Sequence, residues 1–146
     1  MKRVFTILSK KKHGFISVPP STSVLEAIKI MAQKNIGSVI VLEEDVYLGI
    51  MTERDYARKV ILENRHSSIT TVGEIMSVDI PRVNPEDSIE HCMKLMADGN
   101  VRYLPVFEKG WLVGIISILD VIQETVSEQK ETIGELQSFI YTNYVT

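Results

Sequence analysis

The sequence predicts a mixed α/β fold, α+β in layout, made of two β-α-β-β-α repeats. Three observations predict it. Sliding the 146-residue chain along itself by 65 positions lays residues 18–55 over 83–120 without a gap, and 12 of those 38 pairs are identical. Each copy then shows the same succession of apolar patterns, helical first and strand-like afterwards, with turn residues between them. A unit of about 55 residues buries only a thin core, so two units gain by sharing one. The expected arrangement relates the repeats by a pseudo-twofold axis, with sheets packed face to face and helices outside.

The elements follow in order. Pro20-Ser21-Thr22-Ser23 and Pro85-Glu86-Asp87-Ser88 are turn and helix-start signals whose Ser and Asp side chains can cap free backbone N–H groups. Helices follow, with Val24, Ala27, Ile28 and Met31 in one copy matched by Ile89, Cys92, Met93 and Met96 in the other. Short apolar strands come next, over 38–42 and 103–107, and tight turns at Glu44-Asp45 and Lys109-Gly110 lead into strands over 47–51 and 112–116. Second helices start near Thr52 and Ser117. Between the copies, the polar stretch 63–71 reads as a linker and 72–76 as a helical lead-in to copy two. After Asp120 the helical pattern runs on to about Tyr141, with Ile133, Leu136 and Ile140 on one stripe suited to packing on another helix. The domain boundaries expected are 8–70 and 72–135, with a C-terminal helical extension over 121–146.

Composition narrows the function. The net charge is −3, 45% of residues are hydrophobic and 24% charged, which fits a globular protein rather than a disordered or rod-like one. No apolar run approaches the roughly 20 residues of a membrane span. Nor does an apolar block of signal-peptide length follow Met1-Lys2-Arg3. A soluble, cytoplasmic protein is expected. One cysteine, Cys92, excludes an internal disulfide and a cysteine-based zinc cage, and its place on an apolar helix face predicts an inert buried thiol. The only basic run, Lys10-Lys11-Lys12-His13, reads as a solvated edge rather than a site for duplex nucleic acid. His13, His66 and His91 are scattered and do not stand at metal-ligand spacing. Met31, Met93 and Met96 read as core filler, and Trp111 as a packing or rim residue.

The sharpest chemical signal is a motif present in both copies: Gly49-Ile50-Met51-Thr52-Glu53-Arg54-Asp55 and Gly114-Ile115-Ile116-Ser117-Ile118-Leu119-Asp120. In each, a strand ends, a hydroxyl stands at a helix N-cap and an Asp lies three residues on. One reading is a capping box, with hydroxyl and acid each satisfying backbone donors. The other uses the same physics for a ligand. A helix N-terminus favours phosphate, and a carboxylate one turn in can accept both hydrogen bonds of a ribose diol. Phosphate and ribose at that spacing suggest a nucleotide.

The duplication, the Gly-Ile-x-Thr/Ser-x-x-Asp motif in both copies and Leu104-Pro105-Val106 before the second hairpin resemble a tandem pair of CBS (cystathionine β-synthase) domains, over about residues 8–135. The string Thr52-Glu53-Arg54-Asp55-Tyr56-Ala57-Arg58-Lys59 is similar to small standalone prokaryotic members. Such pairs, called Bateman modules, bind adenosine nucleotides, so the resemblance implies a regulatory, energy- or redox-sensing module with AMP as the first expected ligand. ADP, ATP, NAD and S-adenosylmethionine are the others. It also implies a homodimer and a protein target the sequence does not name. By that resemblance the first site uses Ile50, Thr52, Arg54 and Asp55, with Met76, Ser77, Ile80, Val101, Arg102 and Tyr103 from copy two. The second uses Ile115, Ser117 and Asp120, with Lys12, Ile16, Ile36, Gly37 and Ser38 from copy one. Two departures stand out. Leu119 replaces Arg54 in the second motif, so that site needs charge lent by Arg102, Arg54 or Arg58, and Asp55 is expected to matter more for a phosphorylated ligand than Asp120. Pro105 replaces Ile40. The absence of a nucleophile–base pair, a metal cluster or a Gly-rich phosphate loop points away from an enzyme. A dimerisation or interaction module with vestigial pockets is the alternative.

Overall fold

The computed structural model describes residues 2–11 and 14–144. In chain order the elements are α1 (Val4–Lys10), β1 (Ser17–Val18), α2 (Val24–Lys34), β2 (Ser38–Glu43), β3 (Val46–Thr52) and α3 (Glu53–Tyr56), which runs into a π-helical turn (Ala57–Ile61). They continue with α4 (Val72–Ile75), α5 (Ile89–Gly99), β4 (Tyr103–Glu108), β5 (Trp111–Ser117) and α6 (Ile118–Tyr144). Two compact units divide them: residues 14–81 form the first, and residues 82–144 together with 2–11 form the second.

Local chemistry repeats at the 65-residue offset. Ser23 Oγ accepts from Glu26 N at the start of α2, and Ser88 Oγ accepts from His91 N at the start of α5, both at 3.1 Å. Asn35 and Asn100 close the same two helices in the left-handed conformation, with φ of 54° and 50°. The hairpin turns put Glu44, Asp45, Lys109 and Gly110 at positive φ, as a two-residue loop between twisted strands requires. Both hairpins are antiparallel, and both slip register at matching places, Val41/Leu42 and Val106/Phe107.

The copies differ where Pro105 stands. In the first unit Ile40 N donates to Ile16 O at 3.0 Å, and β1 pairs in parallel with β2 as Ser17↔Ile40 and Val18↔Val41. Pro105 is the counterpart of Ile40 and has no N–H to give. The first strand of the second copy is accordingly cut to one parallel bridge, Val83↔Val106. The first sheet therefore has three strands and the second has two.

The segments before each copy are exchanged in space. Expected as the lead-in to copy two, α4 instead bonds back to the first unit: Val72 N donates to Thr22 O at 2.8 Å and Gly73 N to Pro20 O at 2.9 Å. The N-terminal segment makes the same bonds in the second unit, Val4 N to Asp87 O and Phe5 N to Pro85 O, both at 2.9 Å. The polar stretch 63–71 is likewise docked rather than loose, since Val24 N donates to Thr70 O and Leu25 N to Ser67 O.

Val24, Ala27, Met31, Val39, Val41, Met51, Val60, Val72 and Ile75 make the core of the first unit. In the second, Ile89, Cys92, Met96, Leu104, Val106, Ile116 and Val121 are buried. Met93 does not join them. It lies at the surface edge, its Sδ 3.9 Å from Thr125 Oγ1. Trp111 is also exposed, at the start of its hairpin strand.

Burial pushes the Cys92 thiol up to about 11, because the thiolate would have to be formed out of water. At pH 8 roughly a quarter of an ordinary thiol is ionised, against about a thousandth of this one. Labelling of native protein with an aromatic disulfide should therefore run at least ~100-fold slower than labelling of the denatured chain. Comparable rates would mean that α5 opens readily in the native state.

Candidate functional site

In the first unit β3 delivers Thr52 in extended backbone, and α3 starts on it. Asp55 N donates to Thr52 Oγ1, while Asp55 Oδ2 accepts from Thr52 N and from Thr52 Oγ1, all at 3.0 Å. That is a complete capping box. The carboxylate is 5% exposed and takes two further partners on Oδ1. Ser77 Oγ donates at 2.8 Å, and Lys59 Nζ lies at 3.0 Å while also donating to Ile75 O at 2.8 Å. Ser77 is held by a two-way backbone pair with Ile50, at 3.0 and 2.8 Å. Gly49 lets that pair close: a Cβ there would stand 2.6 Å from Ser77 O.

The second unit repeats the box with different helpers. Ser117 N donates to Asp120 Oδ2 at 2.8 Å, and Asp120 N donates to Ser117 Oγ at 3.1 Å. Here the cation comes from the N-terminal segment. Lys11 Nζ lies 2.7 Å from Asp120 Oδ2 and donates to Ile115 O at 2.8 Å. Lys10 pairs with the buried Glu124, whose other oxygen, Oε2, is buried without a hydrogen-bond partner. Ile7, Lys10, Lys11, Asp120, Gln123 and Glu124 line a cleft of about 140 Å³. Ligand pockets usually measure about 300–1,000 Å³, so this cleft admits a ribose or a phosphate rather than a whole nucleotide.

Several expectations change. The second motif does not lack a cation for want of an arginine in place of Leu119, because Lys10 and Lys11 of the second unit supply two. Leu119 itself is 59% exposed. Met76, Ser77 and Ile80, assigned to copy two, stand in the first unit with Ile50, Thr52, Arg54 and Asp55, as do Ile16, Ile36, Gly37 and Ser38. The second unit holds Val101, Arg102 and Tyr103 with Ile115, Ser117 and Asp120. Gly37 O accepts from Glu53 N, and Arg102 O accepts from Ile118 N, so both stretches steady a helix start in their own unit. Lys12 lies outside the described residues. Sequence reasoning passed over Lys59, Lys10, Lys11 and Glu124 as site residues. Lys59 was findable, since it stands four residues after Asp55 on a helix; Lys10 and Lys11 belong to the basic run read as a solvated edge, and nothing local shows that they reach Glu124 and Asp120.

The CBS domain family matches twice, over residues 7–62 and 72–127. The chain belongs to the CBS domain family. Its two CBS domains coincide with the internal repeats. Among curated relatives, the mitochondrial CBS domain-containing protein CBSX3 of Arabidopsis thaliana is 37% identical over 127 residues, 84% of this chain and 62% of that protein. CBS domain-containing protein YhcV of Bacillus subtilis is 34% identical over 113 residues, 77% of this chain and 80% of that protein. This chain thus spans under two thirds of the plant relative. Among solved structures, a CBS-domain protein from Burkholderia ambifaria superimposes with a TM-score of 0.82 at 40% identity, covering 88% of this chain and 96% of that one. The CBS domain pair of protein MJ0100, in complex with 5′-methylthioadenosine and S-adenosyl-L-methionine, gives a TM-score of 0.76 at 26% identity, covering 88% and 98%. Among the described residues, no helix is long and apolar enough to cross a membrane, and no cluster of three His, Cys, Asp or Glu could hold a metal.

Proposed function

We propose that this CBS pair is a non-catalytic regulatory module that binds an adenosine-containing ligand at its Thr/Ser-x-x-Asp motifs and works as a homodimer on a protein target. One observation carries the reading: in both units the motif carboxylate stands at a helix start with a lysine ammonium on it. A ribose diol replaces the lysine as donor to the carboxylate, and the released lysine turns to the ligand's phosphate. This exchange favours phosphorylated ligands, AMP first, then ADP, ATP and NAD. S-Adenosylmethionine brings its own positive charge and gains nothing from the lysine. The MJ0100 complex supports adenosine recognition as such. The remaining ligand surface falls to the residues named by the resemblance, including Val101, Arg102 and Tyr103.

Melting curves with AMP, ADP, ATP, NAD and S-adenosylmethionine test this. A ligand at 100 times its Kd adds about 2.7 kcal/mol, or about 5–10 °C for a chain of this size. The expected order is AMP and its phosphorylated relatives above S-adenosylmethionine. No shift with any of the five would end the ligand reading and leave a dimerisation module with vestigial pockets.

A further inference from the structure

The long C-terminal helix α6 touches its own unit along one face only. Val121 on that face is fully buried, Glu124 pairs with Lys10, and Glu131 pairs with Lys2 at 3.2 Å. The opposite face carries a second pattern that the core does not use. Leu119, Val126, Ile133 and Ile140 recur every seven residues, with Ile122, Gln129, Leu136 and Asn143 three after each. The six apolar members are 42–59% exposed. A spacing of 3.5 kept up over more than three heptads marks a coiled-coil seam, whereas a helix lying on a globular core follows 3.6.

We propose that α6 pairs with α6 of a second copy of this chain as a parallel, in-register, two-stranded coiled coil along this seam. The composition selects that occupant. Three of the four leading positions are β-branched and the following ones carry Ile and Leu, the preference of parallel two-stranded coils. The two polar seam residues, Gln129 and Asn143, meet their own counterparts only when the helices run parallel and in register, where amide bonds amide. An antiparallel pairing sets them against apolar seam residues, and a stagger leaves at least one of them without an amide partner. Flanking the seam, Lys130 faces Thr125 of the partner copy, so like charges do not cross it. Covering the six half-exposed side chains removes about 500 Å² per copy, or about 1,000 Å² in all, the least a specific interface needs.

The proposal deepens the homodimer reading, and its test tells this seam from a dimer held elsewhere. Gln129→Cys is made at mid-seam and Ser138→Cys on the side away from it, each as a single change in the full chain, with the buried Cys92 left in place. Mild oxidation followed by thiol blocking should convert Gln129→Cys to a covalent dimer on a denaturing gel and leave Ser138→Cys as single chains. Adding Ile133→Glu and Leu136→Glu to Gln129→Cys should cut cross-linking more than tenfold while the thermal melt of the folded units stays put, since both side chains are over half exposed. A sedimenting dimer in which Gln129→Cys does not cross-link, or links no better than Ser138→Cys, overturns the seam and leaves a dimer through other faces. Equal cross-linking with the two glutamates present overturns it as well. A monomer at tens of micromolar overturns the seam and the homodimer together.

Discussion

Gly49→Ala should lower the stability of the chain by about 2–3 kcal/mol, where an exposed strand glycine would gain from the same change. The added methyl would stand 2.6 Å from Ser77 O. That oxygen is main chain, held by Ile50 N at 3.0 Å, while Ser77 N is tied to Ile50 O at 2.8 Å. Relief of the clash requires residues 76–77 to back away and both bonds to lengthen, and each such bond contributes about 1 kcal/mol. The internal repeat supplies the control. At Gly114 the nearest atom is Leu8 Cδ2 at 2.8 Å, the free end of a side chain that can rotate aside. Gly114→Ala should cost less than about 1.5 kcal/mol. Thermal melts would separate the two by several degrees, with Gly49→Ala lower by about 5–10 °C than the parent. Equal losses would mean that the Ile50–Ser77 pair yields easily.

Asp55→Ala is expected to cost about 2–4 kcal/mol and Asp120→Ala about 1–2 kcal/mol. Both lose one half of a capping box. Asp55 is the more buried, and its removal takes the acceptor from Ser77 Oγ as well as the counter-charge from Lys59, which is 44% exposed and can turn to water. The Asp120 side chain is 20% exposed, and Lys11, at 34%, can turn to water. Urea midpoints at constant slope would read the difference. Binding follows a different order. Each carboxylate stands beside a lysine, so the advantage expected for Asp55 from Arg54 is offset at Asp120 by Lys10 and Lys11. Both variants should lose more than tenfold in affinity for AMP by calorimetric titration, on the reading that the motif holds the ribose. An Asp120→Ala variant that binds as tightly as the parent would confine that reading to the first unit.

Much of this was present in the sequence because it depends on residues a few positions apart. The caps at Ser23, Ser88, Thr52 and Ser117, the hairpin turns and the Asn35 and Asn100 helix ends each close within about four residues, and the 65-residue offset carried every one from copy to copy. The helix faces were less secure. Val60 and Val121 turn inward and are fully buried, while their chain neighbours Ile61 and Ile122 stay out. After α3 the chain passes into a π-helical turn, where each hydrogen-bonded loop is a residue longer than in an α-helix, and a 3.6-residue period does not follow the buried face through it.

The family, the duplication, the order of elements from each Pro-x-x-Ser helix start to the helix after the motif, and both motif carboxylates were determined by the sequence alone. Tertiary structure alone decided which segment completes which unit and which cation sits on the second carboxylate, Asp120. The hydrogen bonds from Val4 and Phe5 run to a repeat that begins some eighty residues later, and Lys11 reaches Ile115 across 104 positions. Such contacts carry no periodicity along the chain. They are set by where the backbone of α1 and α4 finds free carbonyls at the edge of a folded unit, and only the fold puts those carbonyls there.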